Sequence, residues 1–229
     1  MDQQQTIVEM PIFPLGRTVL FPGATLALHI FEKRYKEMIG RCLAGDRHFG
    51  VALLREGVEV GGEAIPYEIG TVAQIVRAVK MKDGRYNLVT RGASRFQLLS
   101  SSYEDAGYLT GQVELLTEEE YDHQRLVEQQ PAVQASFVRF AGELAQLSGA
   151  KLDTIDFPDD PTGLSYFVAE HLPIYAWEKQ RLLEASSTDV RLDELARLLR
   201  RERGMLREFG AIPVTARLES NQEPPFLPN

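Results

Sequence analysis

The sequence predicts an α+β chain: a compact, partly closed β-barrel with one short helix, followed by a small helical bundle. Three observations predict it. Strand-like alternation with frequent glycine and proline fills residues 7–116, one stretch of helical spacing interrupts it, and after Leu116 apolar residues recur at helical spacing as far as Leu206. The expected division is a barrel over 7–116, a bundle over 117–208 and a Pro-rich tail over 209–229.

The first expected strand, Val8 to Leu15, carries Pro11 and Pro14. Proline cannot donate to a ladder, which predicts a sheet edge or a bulge. Phe21-Pro22-Gly23 marks a turn, and Thr25 to Ile30 alternates as a strand. Glu32 to Ala44 switches to helical spacing, with Phe31, Tyr35, Met38 and Ile39 expected on one face and Gly45-Asp46 closing it. Phe49 to Leu54 returns to strand, and the glycine-rich stretch from Glu56 to Pro66 reads as a mobile loop.

The run Ile69–Lys80, followed by Met81 to Gly92, reads as two strands joined at Asp83-Gly84, a dipeptide suited to a tight hairpin. A third strand, Arg95 to Ser100, is expected after Gly92-Ala93-Ser94. In the second half, Thr117-Glu118-Glu119-Glu120 reads as a capped helix start with carboxylates at the positive end of the dipole. Val133, Phe137, Phe140, Ala141, Leu144 and Leu147 then share a face. Asp160-Pro161 opens another helix, whose stripe runs Leu164, Phe167, Val168, His171 and Leu172 until Pro173 breaks it. Further helices are expected over Tyr175 to Ala185 and Asp189 to Leu206.

Composition narrows function. A formal net charge of −8 and a pI near 5.1 argue against phosphate backbones and anionic lipid as partners. The first residues hold no positively charged and apolar signal, and no apolar run approaches the ~20 residues a bilayer crossing needs. The expectation is a cytoplasmic protein without a membrane partner. Nothing in the composition sets an oligomeric state.

No cofactor or metal is expected. His29, His48, His123 and His171 lack paired ligand spacing, and His171 completes an apolar stripe. Cys42 is the one cysteine; Arg41 beside it could lower its pKa, yet no base accompanies it, so a structural thiol is expected. No nucleophile elbow and no P-loop occur. The arginines Arg197, Arg200, Arg201, Arg203 and Arg207 interleave with carboxylates, and residues 188–208 carry six basic and five acidic side chains, so a solvated helix is expected rather than a nucleic-acid surface.

Several collinear segments carry a family likeness. Met10 to Leu15, Val19 to Gly23 and Ile30 to Tyr35 form one set; Ile69 to Ala73, Asp83-Gly84, Arg91-Gly92 and Arg95-Phe96 form another. Ala169 to Pro173 and Glu178 to Glu184 follow in the helical half. Over roughly residues 8 to 207 the chain resembles the N-terminal substrate-recognition domain of Lon proteases in its stand-alone bacterial form. The resemblance implies a PUA-like pseudo-barrel followed by a helical bundle. A full Lon protease continues into an ATPase and a Ser-Lys peptidase, whereas this sequence ends at Asn229. The expectation is therefore no enzyme but a binding module.

Its expected partners are unfolded or partly folded polypeptides, or a protease or chaperone. Candidate peptide-binding residues are Phe13, Phe31, Tyr35, Tyr67 and Tyr108, with Phe21 a further aromatic; each could instead fill the barrel core. A groove for them is expected where barrel meets bundle. The barrel type also admits an RNA-binding module or a small-molecule sensor with an aromatic pocket.

Overall fold

The computed structural model describes residues 6–57, 64–118 and 123–210. The chain order is β1 (Ile7–Leu15), β2 (Thr25–Ile30), α1 (Lys33–Ala44), β3 (His48–Gly57), β4 (Ala64–Pro66), β5 (Ile69–Lys80), β6 (Tyr86–Tyr103), β7 (Leu109–Leu116), α2 (His123–Ser148), α3 (Pro161–His171), α4 (Ala176–Glu184) and α5 (Thr188–Phe209). It forms two compact units that divide after Thr117.

In the first unit the strands follow the order β1-β7-β6-β5-β3-β4, and β1 also pairs β3, in parallel, which closes a barrel. The result is an α+β, PUA-like pseudo-barrel. β1 is not the edge strand its prolines suggest. Residues 7–12 pair with β7 and residues 12–15 with β3, so each half is bonded on one side only. Leu115 N–H donates to Thr6 O (3.1 Å), which makes even-numbered residues of β1 the bonded ones and turns odd-numbered N–H positions away from β7. Pro11 thus withholds nothing from β7. Pro14 faces the β7 side, but β7 starts its pairing at Leu109, opposite Ile12.

β6 is one strand of 18 residues, where two were expected. Gly92 is a change of partner rather than a break: β2 lies beside Thr25-facing Arg91 and the residues before it, and β7 takes over from Arg95. Gly92 N–H donates to Ala24 O and Gly92 O accepts from Gly23 N–H, both at 2.9 Å. The hairpin turn holds positive φ at Gly84 (+82°), with Gly84 N–H donating to Met81 O. Part of the expected 56–66 loop is strand, since Ala64–Pro66 pairs with Leu54 to Gly57 of β3; residues 58–63 lie outside the described residues.

The barrel is filled in two clusters. Phe13 packs on Tyr35 (ring centroids 4.3 Å) and Phe49 (6.1 Å), joined by Met38, Ile39 and Cys42 from α1. These α1 residues sit at helical spacing, but Phe31 precedes the helix and does not share their face. The second cluster surrounds the fully buried Phe96. Its ring lies against Gly50 of β3 and Gly70 of β5; a Cβ at Gly70 would fall against the ring and 2.5 Å from Val51 O, a backbone atom that cannot swing aside.

In the second unit Glu118 stands outside any helix, so the expected helix start at Thr117 is not a first turn; residues 119–122 lie outside the described residues. Its carboxylate instead accepts from Arg191 (2.7 Å), Thr188 (3.2 Å) and the Tyr166 hydroxyl. The Arg191 guanidinium is wholly buried, donates also to Ser165 Oγ and Ala185 O, and lies 4.0 Å over the Tyr166 ring. Asp160 caps α3 as expected, accepting from Gly163 N–H at 2.6 Å. Leu164, Val168, Leu172, Leu192, Leu195 and Leu199 are fully buried, while Leu147 is exposed where a core position was expected. α5 reaches Phe209, and the rest of the expected tail, 211–229, lies outside the described residues.

Two outcomes follow. Gly70→Ala will destabilise the barrel by about 1–3 kcal/mol through overpacking, read as a lowered thermal midpoint; an unchanged midpoint contradicts the Phe96 packing. Glu143 accepts from Arg203 (2.7 Å) and Arg207 (2.9 Å), and Arg203's hydrogen bond is the main reason its carboxyl is held at about 2. A folded value below the usual 4.5 means this stabilisation is complete above that pH and is lost as pH falls toward about 2. In acid titrations followed by circular dichroism, Glu143→Gln should lose less stability across that interval than the parent.

Candidate functional site

Closing the barrel uses only part of two strands. β3 bonds β5 over Thr71 to Gln74, and Ile75 N–H is taken by Arg47 O (2.9 Å), while β5 and β6 continue together to the turn. With β2 on the far side of β6, this makes a three-stranded arm in the order β2-β6-β5. Among the described residues no further strand is bonded to either of its edges.

The register says which backbone groups face outward. Gly92 bonds Ala24, so Leu26, Leu28 and Ile30 are the β2 residues bonded to β6, and the N–H and C=O of Thr25, Ala27 and His29 point away. Met81 N–H donates to Arg85 O (2.8 Å), which places Val79 and Arg77 in bonded pairs and turns the backbone groups of Ala78 and Lys80 outward. An open edge of this kind is a template for a further strand.

The outer face of the arm reads across in rows: Ala27, Val89 and Arg77 in one, His29, Asn87 and Val79 in the next. Phe31, 52% exposed, stacks on the His29 ring at 6.2 Å. Arg85 donates to His29 Nε2 (3.4 Å), so the ring proton is on Nδ1 and donates to Asn87 Oδ1 (2.7 Å). Arg85 also bonds Asp83 at 2.7 Å and holds that carboxyl below the usual range. A chain of side chains thus fixes His29, and with it the platform under Phe31.

The five aromatic candidates separate. Phe13, Tyr35 and Tyr108 are buried, and their rings are barrel filling; the Tyr108 hydroxyl accepts from Arg41 (2.6 Å), and burial raises its pKa. Phe21 is also fully buried. Tyr67 is half-buried, its N–H bonded to Leu53 O (2.8 Å). Phe31 alone of the five stands open, and strand parity could have found it: Leu26, Leu28 and Ile30 face inward, so Ala27, His29 and Phe31 face out. Val76 and Val79, exposed by 60% and 45%, were missed because a register shift between Ile75 and Arg77 breaks the alternation.

Other chemistry is thin. Among the described residues no group of three or more His, Cys, Asp or Glu could hold a metal ion, and no helix is long and apolar enough to cross a membrane. Burial pushes the Cys42 thiol up to about 11, the opposite of an activated nucleophile; Arg41 turns instead to Tyr108, Glu37 and Glu104. The helical unit has an open pocket of about 620 Å³ along α4 and α5, where Arg181, Arg197 and Arg200 meet Glu184, Asp193 and Glu194. Its charges balance, and Arg197 is bonded to Glu194. Arg201 bonds Glu178 and Glu202, and Arg203 and Arg207 bond Glu143, so most of the arginine run is held by the unit's own carboxylates.

Comparison with known proteins decides the lineage. The family described as the ATP-dependent protease La (LON) substrate-binding domain matches residues 9–201. The chain belongs to this Lon substrate-binding-domain family. Lon protease 2 of Myxococcus xanthus is 29% identical over 203 residues, covering 86% of this chain and 24% of its own length. Lon protease of Escherichia coli K12 is 23% identical, covering 87% and 25%. The chain thus spans about a quarter of the length of these relatives. Among solved structures, the Lon N-terminal domain protein from Xanthomonas campestris is 27% identical with a TM-score of 0.58, covering 82% of this chain and 96% of that one. The N-terminal domain of Mycobacterium avium complex Lon protease, 18% identical at a TM-score of 0.61 over 84% of this chain and 98% of its own, shares the fold.

For the Lon-type barrel described here, a buried thiol with a raised pKa will react with a thiol-specific reagent at pH 8 at least about tenfold slower than free cysteine. Reaction in urea should restore the full rate; rapid labelling of the folded chain contradicts the placement of Cys42.

Proposed function

We propose that this chain is a non-catalytic polypeptide-binding module that captures unfolded or partly folded chains, acting by binding alone in a protease or chaperone context. Membership of a substrate-binding family supports it, and so does the buried, unactivated Cys42. The observation that carries it is the open β2 edge. Thr25, Ala27 and His29 direct backbone donors and acceptors outward beside exposed Phe31, and an extended segment laid along them gains ladder hydrogen bonds and an aromatic contact. A native client already has most of its backbone groups paired, so such an edge favours unfolded clients.

Ala27→Pro tests this, because the N–H at position 27 points away from β6 and its loss leaves the β2–β6 ladder intact. Binding of a labelled, reduced and alkylated polypeptide should saturate at micromolar concentration with the parent and weaken about fivefold or more in the variant, roughly one hydrogen bond's worth. The native form of the same client should not bind. Equal affinity of parent and variant removes the β2 edge from the mechanism, and the lack of saturable binding to any unfolded chain overturns the function.

A further inference from the structure

We infer that the β5 side of the arm selects acidic, apolar-alternating polypeptide segments, an inference that rests on the polypeptide-binding reading above and names its preferred client. The chain as a whole is acidic, at −8, yet residues 75–91 reverse that sign. They hold five cations, Arg77, Lys80, Lys82, Arg85 and Arg91, against a single carboxylate, Asp83, which is already bonded to Arg85. Arg77, Lys80, Lys82 and Arg91 are exposed, and among the described residues no carboxylate lies within ion-pair distance of them. The contrast is with the helical unit, where Arg191, Arg197 and Arg201 are each paired with a carboxylate and Arg203 and Arg207 share Glu143.

Three further features say what those cations meet. Val76, Val79 and Met81, exposed by 60%, 45% and 36%, interleave with Arg77, Lys80 and Lys82. The outward N–H and C=O of Ala78 and Lys80 give an incoming backbone its ladder partners. A strand laid there meets a cation and an apolar residue on each face, Arg77 and Val79 on the outer and Lys80 and Ala78 on the other, so a segment alternating acidic and apolar residues finds a cation for its carboxylates and an apolar neighbour for the rest in either register. Edge lysines also keep neutral edges from pairing with each other, and that exclusion works in the same direction: it admits the opposite charge. Nucleic acid suits the surface less well. Its phosphates can accept from the free N–H groups but cannot donate to the C=O groups between them, and the exposed ring on this face, Phe31, is already stacked on His29.

The test uses the full chain and three labelled ten-residue peptides in which the same apolar residues alternate with Glu, Ser or Lys, together with a labelled structured RNA, followed by fluorescence anisotropy. The Glu peptide should bind at least about tenfold more tightly than the Ser peptide at low salt, an advantage that fades by roughly 0.5 M salt. The pair Lys80→Glu and Lys82→Glu should turn the preference toward the Lys peptide, and the pair Arg77→Gln and Arg91→Gln should weaken Glu-peptide binding, both with unchanged thermal midpoints. Equal binding of Glu and Ser peptides overturns the charge selection and leaves the polypeptide-binding reading standing. If the lysine variant binds every peptide as the parent does and only self-associates, the lysines are an edge guard and the inference falls. Failure to bind any unfolded chain sinks both. Salt-dependent RNA binding that the Glu peptide displaces assigns the surface to RNA instead.

Discussion

Phe96 occupies the middle of the second barrel cluster, and its ring needs the space that Gly50 and Gly70 leave on two neighbouring strands. The Phe96 ring lies against the paired β3 and β5, whose ladder ends at Ile75, bonded to Arg47 O, where Arg47 takes a positive φ of 66° just before β3 begins. β1 then closes the ring by giving half of itself to β7 and half to β3. Everything the closed ring does not use must leave it. The ends of β5 and β6, with β2 alongside, are that remainder, and they carry the open edges.

Charge is sorted along the same division. In the helical unit a buried guanidinium, Arg191, is matched by Glu118, Ser165 and a tyrosine face, as a buried cation requires. Arg197, Arg201, Arg203 and Arg207 of α5 are tied to Glu143, Glu178, Glu194 and Glu202, which removes these four as a surface for anions. Of the arm's cations, Arg77, Lys80, Lys82 and Arg91 have no such partner among the described residues, and Arg85 holds Asp83. A protein with an acidic total therefore presents one locally basic, partly apolar surface, and it lies where backbone groups are also free.

Much of the fold was legible in the sequence. β2, α1 and the Asp160 cap fall where local pattern puts them, because each depends on neighbours within a few residues: alternation, helical spacing, a capping carboxylate. The errors arose where partners are distant. Pro11 and Pro14 read as an edge until two different strands are seen to share β1, and Gly92 reads as a break until β2 and β7 are seen to exchange places beside it. The aromatic candidates divide for the same reason: Phe13, Tyr35 and Tyr108 lie in the core and Phe31 on a face, which residue type alone cannot separate.

By itself the sequence determined the class, the two-part organisation of strands then helices, and the family, because these rest on periodicity and collinear motifs. Only the tertiary structure decided which strand edges stay open, which cations remain without carboxylates and which aromatic ring meets solvent. Those properties belong to pairs of residues far apart in the chain, such as His29 with Asn87 or Arg203 with Glu143, and no local pattern encodes a distance between them.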